Sequence, residues 1–241
     1  MYRPAAALIC LFAAVPAFAQ DTGGLDVSGE VVFLTDYRFR GISRSDEDPA
    51  GQAALTLSHG SGLYTGLRAA TLKGLDSFRA RDPGFGDLGD AEFDLYAGWR
   101  TDLGGGFDLD AGLTYYVFAD GEGATDYVEP YASVGYLIGP VTLSGGARYA
   151  PAQQAIGDED MLYLFGQVEV AVPFRPWSFT AQAGRQDWGA FGSYWTWSLG
   201  TEYHVQIEGI PATYLGLRYI DTDLAAPGAD AGLAASLTVR F

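Results

Sequence analysis

The feature that most constrains the fold of this chain is the alternation of apolar and polar residues. Between positions 25 and 39 the odd residues read Leu, Val, Gly, Val, Phe, Thr, Tyr and Phe, while most even residues are polar or charged. Successive side chains of a β-strand point to opposite faces, so a period of two predicts a strand with one apolar face. Similar stretches recur along the chain, and together they make twelve predicted strands: 25–39, 52–59, 63–71, 92–100, 107–118, 127–137, 141–149, 161–172, 177–185, 194–204, 213–220 and 231–241.

The connections between these stretches also alternate. Short turns fall near residues 60, 102, 138, 173 and 205, whereas connections that are mostly longer and often acidic begin near 41, 72, 119, 150, 187 and 221. Short periplasmic turns and longer extracellular loops are typical of outer-membrane barrels, which have an even number of antiparallel strands. A secreted β-sandwich would show the same alternation, because its apolar faces form a dry core.

The positions of the aromatic residues decide between these two architectures. On the apolar face, aromatic residues cluster at the two ends of the predicted strands, with mainly Leu, Val, Ala and Gly between them. Amphipathic rings favour the two membrane interfaces, whereas a sandwich core would hold its large rings in mid-strand. We therefore predict an all-β fold, a transmembrane antiparallel β-barrel of about twelve strands. The loop-end band comprises Tyr37, Phe39, Phe93, Tyr115, Tyr149, Trp195 and Tyr219, and the turn-end band comprises Trp99, Phe107, Tyr136, Trp177, Phe179, Tyr203 and Phe241.

The first nineteen residues have the composition of a secretory signal peptide. Arg3 precedes a short apolar run, which ends in an Ala-Phe-Ala cleavage site at 17–19. The only cysteine, Cys10, lies in that run, so the exported chain offers no thiol for a disulfide or a metal. We predict a signal peptide at 1–19 and one barrel domain at 20–241, in the outer membrane of a Gram-negative bacterium. A formal net charge of −16 argues against a nucleic-acid partner.

The last predicted strand ends on an aromatic residue, Phe241. Leu233, Ala235, Leu237 and Val239 precede it at alternate positions and are expected to face lipid. This strand must pair with the first one, so that no unpaired edge remains in hydrocarbon. Such an ending is similar to the signal by which outer-membrane proteins are recognised for insertion. We therefore expect outer-membrane lipid and lipopolysaccharide around the barrel, and the barrel-insertion machinery at Phe241.

The N-terminal part of the chain resembles the TorF family of porins. In that family an Asp-Tyr pair, an aromatic-Arg-Gly-Ile/Val-Ser motif and a downstream proline recur, and they are matched here by Asp36-Tyr37, by residues 39–43 and by Pro49. The likeness is detailed over the first hundred exported residues and extends over the rest mainly as a strand pattern. It implies an outer-membrane pore and brings no defined substrate.

The polar face of the predicted strands carries many charges of both signs. A dry barrel core would not tolerate them unless they were densely paired, so a wet lumen is the simpler interpretation. Near the loop end we expect Arg38, Arg40 and Arg218 on one wall to face an acidic wall across water, and Arg148 does not fit this partition. The predicted pore-lining residues are Asp36, Arg38, Arg40, Arg68, Glu92, Asp94, Glu129, Arg148 and Arg218.

These features predict a channel for passive diffusion of small polar solutes or ions, with no cofactor, no metal and no catalytic residue. One alternative is a non-conducting structural or binding barrel with paired charges, whose acidic loops meet the divalent cations of lipopolysaccharide. The other is an enzyme that acts on lipid, but its only candidate bases, His59 and His204, lie at turn ends. We interpret the Gly-rich motif at 84–89 as a chance match, and the acidic stretch at 120–126 as a solvated loop.

Overall fold

The computed structural model of the protein describes residues 24–73, 88–206 and 208–241. The predicted signal peptide and most of the Gly-rich motif at 84–89 lie outside these residues. Twelve long strands and two short ones form the fold, and the only helices of the described chain are two three-residue 3₁₀ turns. No helix in these ranges is long and apolar enough to cross a membrane. The strands are β1 (Leu25–Leu34), β2 (Arg38–Phe39), β3 (Ile42–Ser43), β4 (Ala50–His59), β5 (Leu63–Thr71), β6 (Ala91–Gly104), β7 (Phe107–Ala119), β8 (Tyr127–Ile138), β9 (Val141–Ala150), β10 (Met161–Ala171), β11 (Trp177–Asp187), β12 (Ser193–Val205), β13 (Ala212–Thr222) and β14 (Gly232–Arg240).

The long strands form one closed antiparallel barrel, which confirms the predicted fold class. Each long strand pairs with the next in sequence, and β14 closes the ring by pairing with β1 from Glu30↔Arg240 to Leu34↔Ser236. Phe241 extends this seam, because it exchanges backbone hydrogen bonds of 2.7 and 3.0 Å with Gly29. An ideal Cβ on Gly29 would lie 2.4 Å from the Phe241 ring, so a larger residue at this position would displace the ring. Closure thus leaves the barrel without a free strand edge.

The two ends of the barrel differ as the sequence predicts. At one end, called the turn end, tight connections join β4 to β5, β6 to β7 and β8 to β9, and both termini of the barrel lie there. Gly62 has φ +90° in the first of these turns, where an added Cβ would lie 2.1 Å from a backbone oxygen of Arg100. The other end, called the loop end, carries the longer connections, including 35–49 and 151–160.

The outer surface of the barrel is apolar. Leucine and valine side chains occupy its middle, and residues such as Leu199 and Leu233 are more than half exposed. Aromatic side chains pair between strands at the turn end, where the rings of Phe107 and Tyr136 stack 4.3 Å apart. Other members of the two predicted bands are also exposed: Phe93, Trp99, Tyr115, Tyr149, Trp177, Phe179, Trp195, Tyr219 and Phe241.

The prediction for the first strand is wrong at its end. β1 stops at Leu34, and residues 35–49 turn into the barrel as the inner hairpin, which contains β2 and β3. Tyr37 and Phe39 therefore do not belong to the outer aromatic band: Tyr37 is buried, and Phe39 packs edge-on against Tyr116, 5.9 Å between ring centres. The alternation reaches residue 39 because Tyr37 and Phe39 pack with the buried cluster while Asp36 and Arg38 make polar contacts.

Local polar contacts explain why the chain turns inward after β1. The Asp36 carboxylate accepts a hydrogen bond of 2.6 Å from the Ser43 hydroxyl, and the Tyr37 N–H donates to the Ser45 hydroxyl at 2.9 Å. Arg40 and Gly41 at the hairpin tip have φ of +51° and +90°, a tight reversal that a barrel strand would not contain. The inner hairpin thus packs with a buried cluster of Tyr37, Leu72, Tyr116, Phe118, Tyr127, Ile156 and Met161 near the loop end.

Candidate functional site: the lumen and its inner hairpin

The tip of the inner hairpin reaches the far wall of the barrel. Arg40 forms an ion pair with Glu129 of β8 and donates a hydrogen bond of 2.7 Å to the side-chain oxygen of Gln186 in β11. Its guanidinium lies 4.6 Å from the centre of the Tyr163 ring, a cation–π contact. Gly41 lies so close to β12 that an added Cβ would be 2.8 Å from the Thr196 hydroxyl oxygen. The inner hairpin therefore spans the lumen from β1 to the opposite strands.

A second anchor lies at the base of the inner hairpin. The Arg44 guanidinium donates to the Glu92 carboxylate at 2.6 Å and lies 3.7 Å from the centre of the Phe39 ring. Arg68 of β5 donates to Glu92 at 3.1 Å and, through Nε, to Asp94 at 2.7 Å. The four charges balance, so this cluster fixes the hairpin without an excess of either sign.

Tyr37 ties the second anchor together. Its hydroxyl donates to Glu92 at 3.3 Å and accepts a hydrogen bond of 3.1 Å from Arg68. Burial raises the pKa of the Tyr37 phenol, and the neighbouring Glu92 charge raises it further. Tyr37 therefore stays a neutral hydrogen-bond donor at ordinary pH.

The structure brings together most of the predicted pore-lining residues, but not as two walls separated by water. Arg38 and Arg40 lie on the inner hairpin rather than on a barrel strand, and Arg40 touches Glu129 directly. That arrangement contradicts the expected open gap between a basic and an acidic wall. Arg38 pairs with Asp36 at 2.5 Å, and this pair borders the same cavity as Arg218. The physical reason is that the inner hairpin carries Arg40 across the lumen, so its guanidinium reaches Glu129 on the far wall instead of staying on the wall of β1.

Arg148 and Arg218 differ from the other predicted pore-lining arginines in their ion pairing. Arg148 of β9 approaches Glu129 at 3.2 Å and lies 4.7 Å from the centre of the Tyr131 ring. Arg148 therefore shares one carboxylate with Arg40. Arg218 of β13 makes no ion pair with any residue in 24–73, 88–206 or 208–241.

A polar lumen continues from the inner hairpin toward the turn end. A cavity of about 750 Å³ extends from Arg40 and Phe39 to Ser58 and Tyr64, which adjoin the turn after β4. A second cavity of about 380 Å³ follows β1, β14, β13 and β12, and both cavities border Arg218. Their volumes lie within or near the range of small-molecule sites.

Four inward tyrosines, Tyr64, Tyr96, Tyr131 and Tyr163, lie against glycines of the neighbouring strands. An added Cβ on Gly98 would lie 2.5 Å from the Tyr64 hydroxyl, and one on Gly66 would lie 2.4 Å from Tyr96. Tyr131 covers Gly112 and Tyr163 covers Gly184 in the same manner. The Tyr96 hydroxyl is held by Thr56 at 2.6 Å and that of Tyr64 by Asp110 at 2.5 Å. The inward glycines thus leave room for these tyrosine rings at the wall of the lumen.

Sequence reasoning missed Arg44, Ser45 and Gln186, which hold the inner hairpin. Arg44 and Ser45 follow the motif at 39–43 and precede three acidic residues, a composition that resembles an exposed loop. Only the local turn chemistry, with polar residues clustered around Gly41, could have indicated a hairpin there.

Neither histidine forms a hydrolytic site with the described residues. His59 is the last residue of β4, and its Nδ1 hydrogen-bonds the Ser61 hydroxyl at 2.8 Å and accepts the Ser61 N–H at 3.1 Å. His204 stacks on Tyr214 with ring centres 4.8 Å apart. A serine hydrolase needs a histidine oriented by a third group, and neither histidine forms an ion pair with a carboxylate within the described ranges.

A closed twelve-stranded barrel with an apolar exterior and a charged interior has the architecture of the porin class. Comparison with solved structures agrees with this fold. The chain is similar to the NanC porin, with 11% identity and a TM-score of 0.57 over 90% of this chain and 99% of that one. It is also similar to the KdgM porin, with 6% identity and a TM-score of 0.55 over 89% and 97%.

The sequence belongs to the Gcw_chp family, described as bacterial protein of unknown function, whose model matches residues 18–235. A search of curated proteins gave no match. The family thus covers nearly the whole barrel without assigning it an activity.

Proposed function

We propose that this protein is an outer-membrane channel for passive diffusion of small polar solutes or ions. The observation that carries the proposal is the polar lumen of about 750 Å³ inside a closed barrel. The charged groups that line it, such as Arg148 and Arg218, would be costly in a dry interior and are solvated in a wet one. The turn end faces the periplasm in this proposal, and the loop end faces outward.

The outer surface supports a membrane location. Contiguous apolar side chains on the outside of a barrel are unfavourable in water and favourable in lipid. Aromatic side chains at both ends match the two interfaces. We propose that lipid and lipopolysaccharide surround this surface, and that the strand ending in Phe241 is recognised by the insertion machinery. Both partners are proposals from surface chemistry and strand pattern.

The likeness to porins adds support at the level of fold. The resemblance of the N-terminal motif to the TorF family points in the same direction. One KdgM porin structure is of a complex with disordered oligogalacturonate, so a barrel of similar architecture binds that oligosaccharide. We propose transport rather than catalysis for the present chain, since its two histidines form no hydrolytic site with the described residues.

One observation favours a second candidate, a non-conducting barrel. The inner hairpin is held by Arg40–Glu129 and Arg44–Glu92, and both carboxylates are almost fully buried. Paired charges of this kind are typical of a plug as well as of a constriction. The two candidates therefore differ in whether solute passes the hairpin.

Swelling of liposomes that contain the purified protein distinguishes them. A channel admits small sugars and amino acids and excludes solutes above a size limit, so vesicles swell in the small solutes only. A variant with residues 36–48 replaced by a short glycine-rich turn should admit larger solutes. If the parent protein causes no swelling and the shortened variant does, the barrel is plugged and the channel proposal is wrong.

A further inference from the structure

Basic side chains line the larger cavity, and several of their acidic partners lie buried behind them. Its ionisable lining contains six arginines and only two carboxylates, Asp94 and Asp110, apart from tyrosines. Glu92 and Glu129 pair with three of these arginines and with the neighbouring Arg44, but they are 1% and 0% exposed and do not line the cavity. The carboxylates therefore lie behind the guanidinium groups, and a solute in the cavity meets mainly cations. The six arginines are Arg38, Arg40, Arg68, Arg100, Arg148 and Arg218.

Pairing leaves two of these cations in excess. Arg38 pairs with Asp36 and, at 3.4 Å, with Glu47, whose side chain is 57% exposed and therefore screened by water. Arg68 pairs with the Glu92–Asp94 cluster and Arg100 with Asp110 at 2.7 Å. Glu129 carries one negative charge but forms ion pairs with both Arg40 and Arg148. Arg218 has no ion-pair partner in the described ranges. One uncompensated positive charge thus lies near β9 and another on β13, and both border the same cavity.

Acidic side chains toward the turn end cancel little of this excess in the larger cavity, because Glu30, Asp108 and Glu202 do not line it. Asp108 pairs with Gly135 on the neighbouring strand β8, four residues from Tyr131, which is the register partner of Arg148. At roughly 3.3 Å per residue this separation is about 13 Å, longer than the Debye length of about 10 Å at 0.1 M salt. Glu30 is paired with Arg240 at 2.7 Å. Glu202 is two residues from the register partner of Arg218, about 7 Å along β12. It borders the second cavity and not the larger one, so it offsets part of the Arg218 charge on that side only.

We propose that the cavity between Arg148 and Arg218 binds small solutes that carry an oxyanion, a carboxylate or a phosphate. The guanidinium group presents several hydrogen-bond donors in a plane that matches such oxygens. Because Arg218 forms no ion pair within the described residues, it can bind an anion without first breaking one. The volume suits a molecule of a few to about twenty non-hydrogen atoms. This inference deepens the proposed channel function and rests on it, because the solute reaches the cavity only through the lumen.

Electrical recording of the purified protein in planar bilayers tests the proposal. In a potassium chloride gradient the reversal potential should indicate preference for chloride, although the chain has a net charge of −16. Succinate and inorganic phosphate, added separately, should reduce the chloride current in a saturable manner, and neutral glycerol should not. The succinate and phosphate arms tell which oxyanion binds more tightly.

Variants of the two excess arginines make the test specific. Arg218→Gln should shift the reversal potential toward potassium and raise the concentration for half block by about fivefold, the factor for one ion contact in water. Arg218→Lys should keep most of the block, since the charge remains. Arg185→Gln is the matched control: it removes the same charge from the outer face, where Arg185 lies beside Trp195.

The outcomes separate this inference from the proposed function. If the folded protein conducts but prefers potassium, the oxyanion site is wrong and the channel proposal stands. The same conclusion follows if succinate and phosphate block the Arg218→Gln variant at the same concentrations as the parent. If Arg185→Gln shifts selectivity as much as Arg218→Gln, the effect is one of net charge and the site is likewise wrong. If no current flows, the channel proposal itself fails.

Discussion

Replacing Arg40 by glutamine should destabilise the protein through the carboxylate that it leaves behind. The Arg40 side chain is 6% exposed and that of Glu129 is 0% exposed, so the pair is shielded from water. Breaking a buried ion pair by removing one partner costs about 3–5 kcal/mol. Arg148 still approaches Glu129 at 3.2 Å, so we expect the lower part of that range, about 3 kcal/mol.

The double variant Arg40→Gln, Glu129→Gln removes the stranded charge and should recover most of this loss, to within about 1 kcal/mol of the parent. Urea unfolding in lipid vesicles, followed by tryptophan fluorescence and by gel mobility, measures the free energy of unfolding of all three proteins. The two variants and Glu129→Gln together give a double-mutant cycle. If Arg40→Gln costs less than about 1 kcal/mol, or if the double variant is the least stable, the pair does not hold the inner hairpin.

The hairpin could instead detach while the barrel stays folded, which would limit the measured loss. Ser45 is 1% exposed in the docked hairpin, so a cysteine there reports detachment. Ser45→Cys supplies the only thiol of the exported chain, and it should react slowly with a polar thiol reagent. Adding Arg40→Gln should accelerate the reaction at least tenfold, which corresponds to about 1.4 kcal/mol of docking energy. An unchanged rate, together with unchanged stability, would refute the anchoring role of Arg40.

Three further predictions concern the barrel. Gly98→Ala should push the Tyr64 ring toward the barrel axis and lower the single-channel conductance. Gly51→Ala is the control, because an added Cβ there meets nothing within 4 Å. Equal conductance of the two variants would contradict the role of the covered glycines. Deleting Phe241 removes its two backbone hydrogen bonds to Gly29 and should lower the folded amount in the outer membrane, read by cell fractionation, with export unaffected. Unheated protein should migrate differently from boiled protein on a denaturing gel, and protease should cut intact cells only at loop-end connections; a detergent-independent soluble protein would refute the membrane barrel.

Most of the barrel could be predicted from the sequence because its physics is periodic. Side chains that alternate between lipid and lumen must alternate in polarity, and the strand that ends at Phe241 must close on the first one. The even strand number and the contrast between turns and loops follow from the same constraint. These are local signals, and the structure confirms them.

The inner hairpin could not be predicted in this way. Residues 35–39 keep the alternation of β1 while the chain turns inward, so period alone gives no sign of the break. The pairs Arg40–Glu129 and Arg44–Glu92 join residues 89 and 48 positions apart, and no spacing rule connects them. The covered glycines were also missed, because a small residue beside a tyrosine acquires meaning only once the strand register is known.

The central claim is that the lumen conducts, and single-channel recording in a planar bilayer tests it most directly. The purified protein, shown by its gel mobility to be folded, should insert with discrete current steps that scale with salt concentration. The shortened-hairpin variant should give larger steps, because the inner hairpin narrows the lumen. A folded barrel that inserts and carries no current, with the hairpin present, would contradict the account.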